Sequence, residues 1–114
     1  MTERQDFPRL TAATVAVLRA LLEDPTREMY GLQVCAAAGL PTGTVHPILA
    51  RLEKMEWLTS EWEQVDARAE GRPRRRYYRL SERGVMRAQA AVDRAEAQAA
   101  GLRARRTGLA GGVA

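Results

Sequence analysis

Apolar residues recur three and four positions apart in three stretches of the first half of the chain, a spacing that predicts three helices. The helices extend from a Thr11 cap to Asp24-Pro25, over about residues 28–38, and over about residues 43–56. Gly39 is suited to end the second helix, and Thr42 is suited to cap the third. Because only a short turn separates these two helices, the pattern predicts a helix-turn-helix.

The next stretch alternates between apolar and polar residues, as strands with one buried face do. This alternation covers residues 58–65 and 76–80, on either side of an arginine-rich turn, and it predicts an antiparallel hairpin. Tyr77 and Tyr78 should point to opposite sides of the second strand, one into the core and one outward. The pattern leaves open which of the two is buried.

A long alanine-rich helix is predicted over residues 82–106, with Ser81 as its cap. Its apolar positions are spaced alternately by three and four residues, which is typical of a narrow coiled-coil seam. The seam consists of Val85, Ala88, Val92, Ala95, Ala99 and Leu102. At the two ends, residues 1–9 are predicted to form a flexible arm and residues 107–114 a disordered tail.

The predicted order of helix, helix, helix, hairpin and helix is that of a winged helix-turn-helix with one additional helix. We therefore expect a mainly α fold with a small β-hairpin, in which residues 10–81 form the winged domain. A chain of 114 residues buries only a modest core, so a second copy of the chain could supply further stability.

Positive charge is concentrated in the predicted wing. The chain has a formal charge of +4, yet residues 68–79 alone contain six arginines and one acid, so the remainder is nearly neutral. Arginine offers forked donors that match phosphate oxygens and guanine edges. A Gly/Pro-containing loop with this charge therefore predicts binding to a polyanion with regularly spaced phosphates, such as double-stranded DNA.

In a winged helix-turn-helix the third helix enters the major groove of DNA, and the wing reaches phosphates or the minor groove. The predicted contacts of the third helix are its outward small, polar and basic residues: Thr42, Gly43, Thr44, His46, Pro47, Arg51 and Lys54. The predicted contacts of the wing are Arg72, Arg74 and Arg75. Threonine hydroxyls at a helix N-terminus can hold a phosphate, and the His46 imidazole can hydrogen-bond a base edge.

The composition disfavours several other classes of function. The chain has one cysteine, one histidine, no Ser/His/Asp set and no phosphate-cradling glycine loop, so we expect no enzyme, metal site or cofactor. Residues 1–9 do not resemble a signal peptide, and no apolar run approaches the ~20 residues of a membrane span. We therefore expect a cytoplasmic protein that does not bind membranes.

Three blocks of the chain resemble the PadR family of bacterial transcription regulators. They are Met29-Tyr30-Gly31-Leu32, residues 40–53 (LPTGTVHPILARLE) and residues 71–84 (GRPRRRYYRLSERG), in the same order and spacing as in the family. The resemblance implies a homodimeric winged-helix repressor whose C-terminal helix, residues 82–106, builds the dimer through its apolar seam. It also implies a small-molecule effector that relieves repression.

The resemblance bears on four further features. Tyr30 lies where the family has a Tyr-Gly pair, which implies a phosphate contact or a role in packing the turn. The family usually has tyrosine at the position of His46. The presence of one long helix after the wing is similar to the short subgroup of the family. A two-fold dimer would read a pseudo-palindromic operator with half-sites about one helical turn apart.

One alternative function stays open at the level of the sequence. Tri-helical cores with a basic surface also serve as protein-interaction modules, for example as anti-activators or assembly factors without specific DNA binding. This alternative predicts that the outer face of the third helix serves a protein partner and that duplex sequence is irrelevant.

Overall fold

The computed structural model describes residues 10–113, and it describes side chains for residues 10–108. The helices are α1 (Ala12–Leu22), α2 (Gly31–Ala38), α3 (Thr42–Lys54), α4 (Ala67–Glu70) and α5 (Glu82–Val113). The strands are β1 (Met29–Tyr30), β2 (Leu58–Trp62) and β3 (Arg76–Leu80). This mostly helical fold with one small antiparallel sheet confirms the predicted fold class. The predicted arm at residues 1–9 lies outside the described residues.

Helix α1 begins as the sequence predicts. The Thr11 hydroxyl accepts a hydrogen bond from the amide of Thr14 at 3.1 Å, which satisfies one of the free donors of the first turn. Val17, Leu18 and Leu21 recur at helical spacing and are fully or almost fully buried. Helix α1 therefore contributes one continuous face to the core.

The helix-turn-helix forms, but both of its helices begin at positions that differ from the prediction. Helix α2 begins at Gly31 rather than near residue 28, because Met29 and Tyr30 form a short strand that pairs with β3. Gly39 ends this helix in the left-handed conformation, with φ of 69°, as predicted. Helix α3 has Pro41 and not Thr42 as its cap, since the Pro41 carbonyl accepts the first intrahelical hydrogen bonds.

The sheet has three strands instead of the predicted two. The strand order is β1-β3-β2, with both pairs antiparallel, and Ser60 lies opposite Tyr78 while Glu61 lies opposite Tyr77. Strand β1 could not be read from periodicity because two residues are too few to show an alternation. Its pairing with β3 attaches the start of α2 to the wing.

The wing is formed by β2, β3 and the segment between them. Strand β2 ends at Trp62, three residues before the predicted end, and the one-turn helix α4 fills part of the connection. The Asp66 side chain caps α4 by accepting from the amide of Arg68 at 3.0 Å, and Gly71 ends it with φ of 69°. The connection is therefore an ordered turn rather than an open loop.

Helix α5 is fixed to the end of the sheet by its first turn. The Ser81 hydroxyl accepts from the amide of Gly84 at 2.9 Å, which confirms the predicted cap, and it donates to the carbonyl of Glu56 at 2.8 Å. A Cβ atom at Gly84 would lie 1.9 Å from the carbonyl oxygen of Trp57, so only glycine permits this close packing. Trp57 itself is completely buried in the core.

Helix α5 is longer than predicted. It continues to Val113, whereas the sequence predicted an end at Arg106 and a disordered tail beyond. Glycine lowers helix propensity by only about 1 kcal/mol per residue, and no proline follows to remove a backbone donor, so the glycines of this segment do not interrupt the helix. Within residues 10–113, no helix combines the length and hydropathy required of a membrane span.

Candidate nucleic-acid interface

Helix α3 is amphipathic in the way that the sequence predicts. Val45, Leu49 and Leu52 are completely buried against the other helices. The predicted contact residues on the outer face are exposed except for Thr44, which is half-buried; the exposed ones are Thr42, Gly43, His46, Pro47, Arg51 and Lys54. This helix therefore presents a narrow face of small residues near its start and basic residues near its end.

His46 lies against the start of α2. Its Nε2 atom is only 2.8 Å from the position that a Cβ atom would take at Gly31. Any other residue at position 31 would therefore displace the imidazole, which is exposed on its other side. The absence of a Cβ atom at Gly31 thus leaves room for the imidazole of His46, the one histidine in the sequence.

The Tyr30 ring packs against two residues of the wing. It makes an edge-on contact with Tyr77, with centroids 5.6 Å apart, and the Arg75 guanidinium lies 4.2 Å from the centroid of the Tyr30 ring. The Tyr30 amide donates to the side chain of Gln33 at 3.0 Å, in the manner of a capping box at the start of α2. The predicted contacts Tyr30 and Arg75 are therefore brought together.

Arg72 is held inside the wing rather than presented outward. Its guanidinium donates two hydrogen bonds to the Glu63 carboxylate, at 2.8 and 2.9 Å, and it also approaches Glu70 at 3.8 Å. The Arg72 side chain is 28% exposed and that of Glu63 is 12% exposed. A guanidinium engaged by both oxygens of a carboxylate is a poor candidate for a direct phosphate contact. Arg72 would therefore have to leave Glu63 to bind a phosphate, and its contact with DNA stays a prediction.

The other wing arginines are arranged differently. Arg74 is exposed, and its Nε donates to the main-chain carbonyl of Val65 at 2.9 Å, so its two terminal nitrogens extend beyond that anchor. Arg76 donates to the Glu53 carboxylate at 3.2 Å and lies over the Trp62 ring. Arg74 and Arg75 are thus the two predicted wing contacts that the structure leaves suited to phosphate binding.

Two titratable groups report the electrostatics of the wing. The hydrogen bonds from Arg72 lower the pKa of Glu63 from 4.5 to about 2, with a smaller contribution from the amide of Arg75. Burial raises the pKa of Tyr78, which packs against the core, whereas Tyr77 contacts Tyr30 on the other face of β3. The structure therefore decides which tyrosine faces the core, a choice that the sequence left open.

These side chains line one groove of about 350 Å³ between the start of α2, helix α3 and the wing. Its lining is basic and aromatic: Tyr30, Gly31, Leu32, His46, Arg72, Pro73, Arg74, Arg75 and Arg76. Glu63, which sequence reasoning did not select, fixes one wall of this groove. The hairpin pattern placed Glu63 near the wing arginines, but it did not show that Arg72 is the arginine to which Glu63 binds.

The predicted dimer seam divides into two parts. Ala88 and Val92 are 0% and 4% exposed within the single chain, and Val85 packs against the same core. These three residues therefore serve the chain's own core, because the first turns of α5 lie on the winged domain instead of standing free. The remaining three, Ala95, Ala99 and Leu102, lie on the part of α5 that extends past the core.

That second part of the seam lines an open apolar groove of about 580 Å³ between α1 and α5. Its lining residues are Leu10, Ala12, Val15, Ala16, Arg19, Ala95, Gln98, Ala99 and Leu102. An ion pair between Arg19 and Glu96, at 3.0 Å, connects the two helices beside the groove. Leu102, which lines this groove, is 55% exposed.

Comparison with protein families gives one match. The model of the Transcriptional regulator PadR-like family matches residues 17–90, which comprise most of α1, the helix-turn-helix, the wing and the start of α5. No curated protein matches the chain.

Solved structures share the fold at low sequence identity. A PadR family regulator from Clostridium difficile R20291 is 16% identical, with a TM-score of 0.60 over 87% of this chain and 98% of that one. A possible transcriptional regulator from Methanosarcina mazei Go1 is 19% identical, with a TM-score of 0.57 over 85% and 78%. A variant of ZitR from Lactococcus lactis is 18% identical, with a TM-score of 0.59 over 86% of this chain and only 61% of ZitR.

Proposed function

The chain belongs to the PadR-like family of transcriptional regulators, and we propose that it is a homodimeric, sequence-specific repressor that a small-molecule effector releases from DNA. Membership of this family makes it a transcription regulator and not an enzyme. The repressor activity, the dimer, the operator and the effector are the parts that we propose.

One observation carries the proposal for DNA binding. His46, on the exposed face of α3, and the arginines of the wing line the same groove, together with Tyr30 and Gly31. A recognition helix in the major groove places its N-terminal residues near base edges, while cations of the wing neutralise phosphates alongside. His46 is the proposed base contact. The other proposed DNA contacts are Tyr30, Thr42, Gly43, Thr44, Pro47, Arg51, Lys54, Arg74 and Arg75, of which Pro47 has no N–H donor and would contribute an apolar contact.

The apolar groove between α1 and α5 supports the proposed dimer. A second copy that buries Leu102, Ala99 and Ala95 would remove this groove from water, and the hydrophobic effect would favour that association. Two recognition helices related by the two-fold axis would then read a pseudo-palindromic operator. An effector would release DNA only by binding more tightly to one arrangement of the two wings.

The first experiment measures binding of the protein to the duplex upstream of its own gene. Fluorescence anisotropy compares this duplex with a shuffled duplex of the same composition at two salt concentrations. We expect salt-dependent binding with a preference of more than ~10³ for the native duplex. A duplex from an unrelated promoter of equal length is the matched control.

Equal and weak binding to both duplexes would contradict sequence-specific regulation through this site. It would favour the protein-interaction alternative, in which the outer face of α3 contacts a protein partner. Substitution of His46 would then leave DNA binding unchanged and weaken the protein complex.

A further inference from the structure

One carboxylate holds both sides of the wing together. Glu63 immediately follows β2, and its amide donates to the carbonyl of Arg75 at 2.8 Å. Its carboxylate in turn accepts from the amide of Arg75 at 3.1 Å and from the Arg72 guanidinium at 2.8 and 2.9 Å. Four hydrogen bonds thus connect a single residue to both ends of the segment 72–75.

This arrangement constrains the two arginines that the wing presents. The main chain of Arg75 is fixed by Glu63 while its side chain lies on the Tyr30 ring. Arg74 lies between the two fixed residues Arg72 and Arg75, and its Nε is anchored on Val65. Long arginine side chains otherwise lose rotamer entropy when they are immobilised, so prior fixation lowers the cost of binding.

We propose that Glu63 is a positioning residue for DNA binding: it converts Arg72 into an internal brace so that Arg74 and Arg75 meet phosphates in a fixed geometry. This inference rests on the proposed DNA-binding function of the wing and assigns Glu63 a role within it. Although Glu63 is negatively charged, as DNA is, it then strengthens DNA binding because it holds the wing arginines in place.

The direction in which DNA affinity changes when the Glu63 carboxylate is removed distinguishes positioning from simple electrostatics. If charge alone mattered, removal of the Glu63 carboxylate would make the wing more positive and tighten DNA binding. If Glu63 positions the wing, its removal frees the segment 72–75, and affinity falls although the net charge rises. The two accounts predict opposite changes for the same substitution.

The test compares Glu63→Gln with Glu61→Gln in the full chain. Glu61 is exposed on β2, two residues away, and its substitution changes the charge equally. Binding is measured by anisotropy with a shuffled duplex, so that the outcome does not depend on the operator. We expect Glu63→Gln to weaken binding about fivefold to tenfold, the order of one lost phosphate contact, and Glu61→Gln to leave it equal or slightly tighter.

A second comparison separates positioning of the wing from a general loss of structure. The double variant Arg74→Ala/Arg75→Ala is measured with and without Glu63→Gln. If Glu63 acts through these two arginines, addition of Glu63→Gln to the double variant costs little further affinity, whereas independent roles would add. Circular dichroism verifies that each variant is folded. If Glu63→Gln does not fold, Glu63→Asp is compared with Glu61→Asp; both keep the charge, so a loss of affinity at position 63 alone supports positioning and equal affinities overturn it.

The outcomes are distinct. Equal or tighter binding by Glu63→Gln, or an additive loss when Glu63→Gln is added to the double variant, would overturn the positioning role while DNA binding itself stands. Loss of preference for the native duplex in the wild-type chain would contradict the proposed repressor and leave this test valid, because it uses shuffled DNA. Failure of the wild-type chain to bind any duplex would overturn both proposals.

Discussion

At the scale of single residues, His46 is the side chain on which DNA specificity should depend. Its ring is fixed against Gly31 and exposed on the outer face of α3. We expect His46→Ala to reduce the preference for the operator by about 1–3 kcal/mol, the worth of one good base contact, with little change in binding to shuffled DNA. Competition assays with both duplexes measure this difference.

Gly31→Ala tests the proposed base contact of His46 in a second way, because it moves the imidazole instead of removing it. A methyl group at this position displaces the imidazole without entering the core, so we expect the loss of specificity to approach that of His46→Ala while thermal stability changes little. Equal weakening of specific and shuffled DNA by either variant would show that His46 does not read bases.

Arg74 should act differently, because a phosphate contact carries no sequence information. We expect Arg74→Ala to weaken binding to all duplexes alike and to reduce the slope of log K against log salt by about one. Arg79→Ala, an exposed arginine at the other end of β3, is the control with the same change in charge. An unchanged slope would remove Arg74 from the DNA contacts.

At this scale the sequence predicted which side chains are exposed on α3 better than it predicted the partners of the wing side chains. The outer face of α3 followed from helical spacing alone. The role of Arg72 did not, because an arginine in a charged loop has the same appearance whether it meets a phosphate or a nearby glutamate. Only the geometry of the turn brings Glu63 within 2.8 Å of it.

At the scale of elements, the junction between the sheet and α5 depends on one glycine. A Cβ atom at Gly84 would overlap the backbone of Trp57, which cannot move as a flexible side chain could. We expect Gly84→Ala to lower the free energy of unfolding by about 1–3 kcal/mol or more, despite the higher helix propensity of alanine. Urea unfolding measures it, with Gly101→Ala, where space is open, as the control.

Stability of the wing should depend on pH through Glu63. The folded state lowers its pKa from 4.5 to about 2, so folding favours the charged form. Its contribution to stability is therefore fully present above pH ~4.5 and is lost as the pH falls toward 2. We expect the stability difference between wild type and Glu63→Gln to shrink over this interval.

Urea unfolding at a series of pH values measures that difference. Glu61→Gln is the control, because it removes an exposed carboxylate from the same strand. A stability difference that is constant from neutral to acidic pH would contradict the role of the Glu63 charge in holding the wing.

Long elements were predictable from the sequence, and short ones were not. Helices α1 and α3 have enough turns for a buried face to appear in the spacing of apolar residues. Strand β1 and helix α4 are two and four residues long, so they depend on pairing and capping by distant or adjacent groups rather than on periodicity. The start of α2 was wrong for this reason, since Met29 pairs with Tyr78.

At the scale of the whole molecule, one seam of α5 lies in two environments, buried in its first half and more exposed in its second. The spacing of its apolar residues is uniform, so the sequence gives no sign that Ala88 is buried within the chain while Leu102 is 55% exposed. The division arises because α5 extends past the winged domain, and the molecule reaches 68 Å in its longest dimension. The exposed half of the seam is where a second copy should bind.

A substitution at Leu102 tests this assembly without touching the DNA-binding residues, because the two grooves share no lining residue. We expect Leu102→Glu to convert the proposed dimer into a monomer, since two carboxylates would face an apolar contact. Light scattering after size-exclusion chromatography measures the mass. Ala90→Glu, on an exposed position of the same helix, is the control and should leave the dimer intact.

The same variant links assembly to operator binding. Each Leu102→Glu monomer retains its recognition helix and wing, so the affinity of one monomer for shuffled DNA should change little. Binding to the pseudo-palindromic operator should fall by roughly 10²-fold or more, because the second half-site is no longer held at a high effective concentration. If Leu102→Glu remains dimeric, the exposed seam is not the contact. If it is monomeric and binds the operator as tightly as wild type, the two-fold reading of DNA is wrong.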